Sequence, residues 1–159
     1  MPFPAILLNC LWHSTTLERY ESIIRTGAIL PEPDLPDGSR WHTGAGVEHY
    51  PYVRTLGGVS LFDFTGFDPK QYSRKYVASW ASFVPLDELG GNKVWIEINR
   101  GKTQNSLIEG KELVEKWKAE KANGHCLMPL IEVAHIGPIP VPMFARVLHH
   151  SAGTWNQIG

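Results

Sequence analysis

Apolar residues in this chain gather in runs of strand length. AILLNCLW covers 5–12, VSLFDF 59–64, VWIEI 94–98 and MPLIEVAHI 128–136. Val94 to Ile98 alternates with the period of two that a strand requires. Helical spacing governs only the stretches between these runs. Leu17, Tyr20, Ile24 and Gly27/Ala28 recur at helical spacing, behind a capping box expected at Thr15 and Glu18, so a helix should run to about Arg25 and stop at Gly27. Residues 107–121 carry Leu113, Val114 and Trp117 as the apolar stripe of a charged surface helix. The expected architecture is α+β: a mainly antiparallel sheet core with a few flanking helices.

Between these elements, 68–76 reads as a short helix, SWASFVPL is ambiguous, and 141–148 suggests a helical turn and a final strand. Residues 31–58 form a long stretch rich in proline and glycine with little periodicity, and long loops in compact domains are usually functional or mobile. At 159 residues the chain suits a single domain, 1–150, followed by a small and polar tail, 151–159, expected to fray. No apolar run reaches bilayer length. Residues 1–12 lack a basic leader and a cleavage site and read as a first strand, which makes the cytoplasm the default compartment.

Charge and cysteine usage exclude more than they propose. Fifteen basic against sixteen acidic residues give a formal charge of -1, so there is no wholesale attraction to nucleic acid; a local basic patch of Arg40, Arg54, Lys70, Arg74 and Lys75 stays open. Cys10 and Cys126 lie in apolar segments and read as reduced, buried thiols. The seven histidines make no zinc pattern, so no metal site is expected.

Two residues stand out chemically. Glu132 is embedded in LIEVAHI, where an unpaired buried carboxylate costs several kcal/mol. Either a nearby Arg or Lys pairs with it or it opens into a cleft. Glu97, in WIEI, shares a face with Trp95, and a solvated outer face would account for it. His13 stands at the junction of a strand and a helix, followed by Ser14, Thr15 and Thr16, where free backbone donors can hold a ribose or a phosphate. As the bland alternative, it is a histidine bonded to backbone. Ser60, after Gly57-Gly58, could add a hydroxyl.

In order along the chain, these pieces resemble the ADP-ribosyltransferase fold, in particular the DarT-type bacterial toxins that modify DNA bases and their small relatives. The resemblance rests on His13, Thr15, Gly27 and Ile29-Leu30 at the opening, on Glu132 in IEVAHIGPIPVPMFARV, and on VSLFDF at the position of the middle motif. It implies a split, mainly antiparallel sheet with NAD as substrate in the cleft. His13, Ser14 and Thr15 would hold the dinucleotide, Ser60 and Phe62 (with Phe64 competing) would supply the middle motif, and Glu132 would be the catalytic carboxylate. It also implies an arginine after the first helix, for which Arg40 and Arg54 compete and Arg54, nearer the strand entry, is preferred. The acceptor would be macromolecular, with single-stranded DNA or RNA slightly ahead of protein, because Arg40, Trp41, His42, Tyr50, Tyr52 and Arg54 mix cations with rings that could stack on bases. Those rings could equally pin the loop to the body. Related folds hydrolyse NAD or remove a 2'-phosphate from RNA. A binding module without catalysis, and a hydrolase using His13 or His42 as base, are the readings from other classes.

Overall fold

The computed structural model describes residues 2–40, 46–75, 79–86 and 92–159. A 3-10 turn at Ala5–Leu7 leads into β1, Leu11–Thr16. The first strand therefore begins later than its apolar run suggests, and His13 lies inside it. Residues 5–7 are diverted because Trp12 Nε1 donates to the Leu7 carbonyl at 2.8 Å, folding the segment back over the sheet. Helix α1 spans Leu17–Thr26 and ends on Gly27, whose φ of 89° suits glycine. Its N-cap is Thr16, not Thr15: the Thr16 hydroxyl accepts from Arg19 N at 3.2 Å. Thr16→Ala should lower stability by about 1 kcal/mol, read as a shift in the urea midpoint with unchanged slope.

The rest of the chain follows as β2 Ala28–Ile29, α2 Tyr52–Thr55, β3 Gly58–Asp63, α3 Pro69–Lys75, β4 Lys93–Ile98, α4 Arg100–Thr103, β5 Leu107–Ile108, α5 Gly110–Ala119, β6 Glu132–Ile136, β7 Ile139–Pro140, β8 Phe144–Ser151 and β9 Thr154–Gln157. The ambiguous SWASFVPL contributes a 3-10 turn at Trp80–Ser82. The expected tail does not fray into solvent: β9 pairs with β8, with His149 opposite Asn156 and His150 opposite Trp155. Among the described residues seven strands form one antiparallel sheet in the order β5-β6-β3-β1-β4-β8-β9, and β2 pairs with β7 separately. The fold is α+β.

Register partners share a face of the sheet. One face carries Trp12, Phe62 and Trp95, packed with Leu7, Phe64, Tyr72 and Trp80 into an aromatic core. The other carries Leu11, Leu61, Val94, Ile96 and Val133, an aliphatic core roofed by Leu17, Tyr20 and Ile23 of α1. Covering both faces corrects the expectation for Glu97. It lies on the aromatic face and is paired to Arg146 at 2.8 Å, with the guanidinium over the Trp12 ring. Cys10 is half-buried and free; burial and the neighbouring Glu97 raise its thiol pKa.

One discontinuity in the sheet positions everything that follows. β1 meets β3 only at Leu11 opposite Asp63 and Trp12 opposite Phe62. Beyond Trp12, β1 stays paired with β4 through Thr16, while β3 stays paired with β6 from Phe62 back to Gly58. The two central strands diverge, and the sheet opens as a V with His13 just past its apex.

Candidate functional site

A cavity of about 570 Å3 occupies this opening, and His13, Ser14, Thr15, Arg54, Ser60, Phe62 and Glu132 all line it. These residues do not share a side of the sheet. His13 is opposite Ile96 and so belongs to the aliphatic face. Phe62 and Glu132 are register partners on the aromatic face, with Ser60 two residues along the same strand. Only where β1 and β3 part can one cavity reach both faces.

Glu132 is 1% exposed. Among the described residues no cation pairs with it, and neutral donors take the place of the strand ion pair. Its Oε2 accepts from the Ser60 hydroxyl, and its Oε1 from the Met128 backbone N–H at 3.1 Å. A tight turn supplies the second donor: Glu132 N donates to the Met128 carbonyl at 2.9 Å, with Leu130 between them at a φ of 62°. Burial raises the Glu132 pKa, and the two hydrogen bonds oppose that rise without cancelling it. The carboxyl is therefore held in place by neutral donors in a buried part of the cavity wall, where it binds its proton more tightly than an exposed glutamate.

His13 Nδ1 lies 3.3 Å from the Ser60 carbonyl, a group that β1 would have bonded had the strands stayed paired. A carbonyl only accepts, so Nδ1 carries the proton and Nε2 is left as an acceptor. Burial pushes the His13 pKa down to about 4, so the ring is neutral at physiological pH. Ser60 thus joins His13 to Glu132: its carbonyl faces one and its hydroxyl the other. Its hydroxyl is committed to Glu132, and so it orients the carboxylate, a role the sequence reading had not assigned it.

Arg54 also lines the cavity, but a cluster holds it. Its Nε and Nη2 donate to Glu32 at 2.8 and 3.1 Å, Nη2 reaches Asp37 at 3.2 Å, and the guanidinium stacks 3.7 Å from the Tyr50 ring. Arg40 donates to the same Glu32 carboxylate at 2.7 Å. The hydrogen bonds from Arg54 and Arg40 lower the pKa of Glu32, and those from the Tyr50 hydroxyl and then Arg54 lower that of Asp37, keeping both acids ionised opposite the two arginines. Of the basic patch considered from sequence, Arg40 and Arg54 are therefore paired. Nη1 of Arg54 is buried without a hydrogen-bond partner among the described residues, which leaves one donor for a ligand. The competition between Arg40 and Arg54 ends with both on the cavity wall.

Two of the rings are engaged within the protein. Tyr50 donates to Asp37; Tyr52 is 1% exposed and its hydroxyl is bonded to Glu120. Neither is presented for stacking on a base, so the alternative in which aromatics pin the loop describes these two. Trp41 and His42 lie outside the described residues. Sequence reasoning missed Met128, whose contribution is a backbone N–H and leaves no side-chain signal, and Lys93 at the start of β4, which also lines the cavity. It also missed Glu32 and Asp37, whose importance comes only from the arginines folded against them. Among the described residues no His, Cys, Asp and Glu side chains gather into a metal-holding group, and no helix is long and apolar enough to cross a membrane.

No family model, curated protein or solved structure matches this chain.

Proposed function

We propose that the chain is an NAD-dependent ADP-ribosyltransferase acting in the cleft between β1 and β3. The observation that carries this reading is Glu132: a buried carboxyl, fixed by Ser60 and Met128, in the wall of a cavity that also takes in the neutral His13. In the proposed step, the bond between the nicotinamide nitrogen and the ribose C1' breaks, and its electron pair leaves with the nicotinamide, cancelling the ring's positive charge. Positive charge gathers on the ribose as an oxocarbenium-like state, where a nearby carboxylate in a water-poor wall gains strength. The acceptor then bonds to C1' and gives its proton to Glu132, for which a burial-raised pKa is suited. Nε2 of His13 can accept from a ribose hydroxyl, and Arg54 Nη1 supplies a fixed donor.

Engagement of Tyr50 by Asp37 and of Tyr52 by Glu120 takes these two rings out of the set that favoured a nucleic-acid acceptor. Protein, nucleic acid and water, the last giving an NAD glycohydrolase, are left as acceptors for the same first step. Calorimetric titration of NAD into the wild type and into His13→Ala tests the reading, followed by assay of nicotinamide release. Saturable binding that weakens at least tenfold in the variant is expected, since a half-buried acceptor for a ribose hydroxyl is lost. No binding to the wild type at concentrations around a millimolar would remove NAD from the site and bring a binding module without catalysis to the front.

A further inference from the structure

Beside the residues already assigned, the β1–β4 edge of the cavity carries polar groups with nothing to bond. Ser14 lines the cavity, and its Oγ is buried without a hydrogen-bond partner among the described residues. Directly across the strand pair, Trp95 is fully buried and its Nε1 is likewise unpartnered. A buried polar group left unpaired costs of the order of 1–3 kcal/mol, and of these two Ser14 is the one that lines the cavity and can be met by a ligand. Lys93 stands on the same face, opposite Thr16 and diagonal to Ser14, at a spacing of roughly 7 Å that a lysine side chain readily covers. It is half-buried, it lines the same cavity, and its ammonium has no hydrogen-bond or ion-pair partner among the described residues. Glu97, the carboxylate on its own strand, is taken by Arg146.

The contrast with the opposite wall decides what this corner suits. There, Glu32 and Asp37 neutralise Arg40 and Arg54. At the β1–β4 edge an ammonium and a hydroxyl are both uncommitted among the described residues; what they share is hydrogen-bond donation, and the charge of the ammonium favours an anionic acceptor. We propose that Ser14 and Lys93 form an oxyanion subsite that takes a phosphate group of the ligand, with Lys93 supplying the charge and Ser14 Oγ a short neutral hydrogen bond. The subsite depends on the transferase reading only for the identity of the molecule that bears the phosphate: the diphosphate of the dinucleotide, or a phosphate on the acceptor.

Calorimetry with inorganic pyrophosphate and, separately, with ADP-ribose tests this on wild type, Lys93→Met, Lys93→Arg and Ser14→Ala, with Lys118→Met as a remote charge control. Pyrophosphate should bind the wild type and weaken about tenfold or more in Lys93→Met, the loss expected for one charge-assisted hydrogen bond. Lys93→Arg should largely restore it, Lys118→Met should leave it unchanged, and Ser14→Ala should weaken it by a smaller factor. If ADP-ribose weakens in parallel, the phosphate belongs to the dinucleotide. If ADP-ribose affinity is unchanged and pyrophosphate still binds in its presence, the phosphate belongs to the second substrate. Pyrophosphate binding that depends on Lys93, in a protein that binds neither NAD nor ADP-ribose, would keep the subsite and discard the transferase. Absent pyrophosphate binding at about a millimolar, or equal binding by wild type and Lys93→Met with both folded by circular dichroism, would overturn the subsite and leave Ser14 and Trp95 bonded to water.

Discussion

Glu132→Gln should abolish nicotinamide release, by about a hundredfold to a thousandfold, while NAD affinity changes little. The range is that for loss of one preorganised electrostatic group acting on a developing charge. Gln keeps the shape, and its amide can still accept from Met128 N and offer N–H to the Ser60 hydroxyl, so the scaffold around it survives. What disappears is the negative charge. The protein itself should become no less stable, since burying a carboxylate costs free energy that an amide does not. The linkage has a definite sign. Burial raises the folded-state pKa of Glu132 above its ordinary value of 4.5, so the folded protein holds this proton more tightly than the unfolded chain. Its contribution to stability is full below 4.5 and is lost as the pH rises through the folded-state pKa. Urea denaturation across that window should show Glu132→Gln gaining on the wild type as the pH rises. An active Glu132→Gln enzyme would remove the carboxylate from the mechanism; a variant less stable than the wild type where the wild-type carboxyl is ionised would mean that the Ser60 and Met128 contacts need the charge.

His13 should impose the opposite pH dependence. Its pKa falls from 6.5 to about 4 on folding because the ring is desolvated, with the Ser60 carbonyl only partly offsetting that loss. Stability tied to the neutral ring is therefore complete above 6.5 and is lost as the pH falls through about 4. The whole fall corresponds to about 3 kcal/mol, at 1.36 kcal/mol for each tenfold change in proton affinity. His13→Gln keeps a donor for the Ser60 carbonyl and an acceptor for a ligand, yet cannot be protonated. Its stability should run parallel to the wild type above pH 6.5 and decline less steeply below it, as read from urea midpoints at a series of pH values. Subtracting the two profiles isolates His13 from Glu132, whose contribution runs the other way. Identical profiles would mean that the ring is solvated and free to take a proton. The functional corollary is that around neutral pH His13 acts as a fixed hydrogen-bonding group and adds no titration of its own.

These two residues also mark how much was legible in the chain. Glu132 and His13 could be singled out from their neighbours alone, because a carboxylate in LIEVAHI and a histidine between a strand and a helix both conflict with simple burial. The strands at VSLFDF and VWIEI and the stop at Gly27 were equally local, set by side-chain period and backbone conformation. Errors came where a tertiary contact outweighed local propensity. The Trp12 to Leu7 hydrogen bond turned the start of an apolar run into a 3-10 turn. Covering both faces of the sheet put Glu97 beside Arg146 instead of water. Pairing to β8 gave order to a polar tail.

Composition and period by themselves determined an α+β chain with strand-length apolar runs and two chemically conspicuous residues, since those properties depend on neighbours within a few positions. Only the tertiary structure decided that β1 and β3 part after Trp12, because strand pairing joins residues some fifty positions apart and no local pattern records where it ends. That parting brings His13 from one face and Glu132 from the other onto one cavity. It frees the Ser60 carbonyl for the histidine, while the same residue's hydroxyl holds the carboxylate.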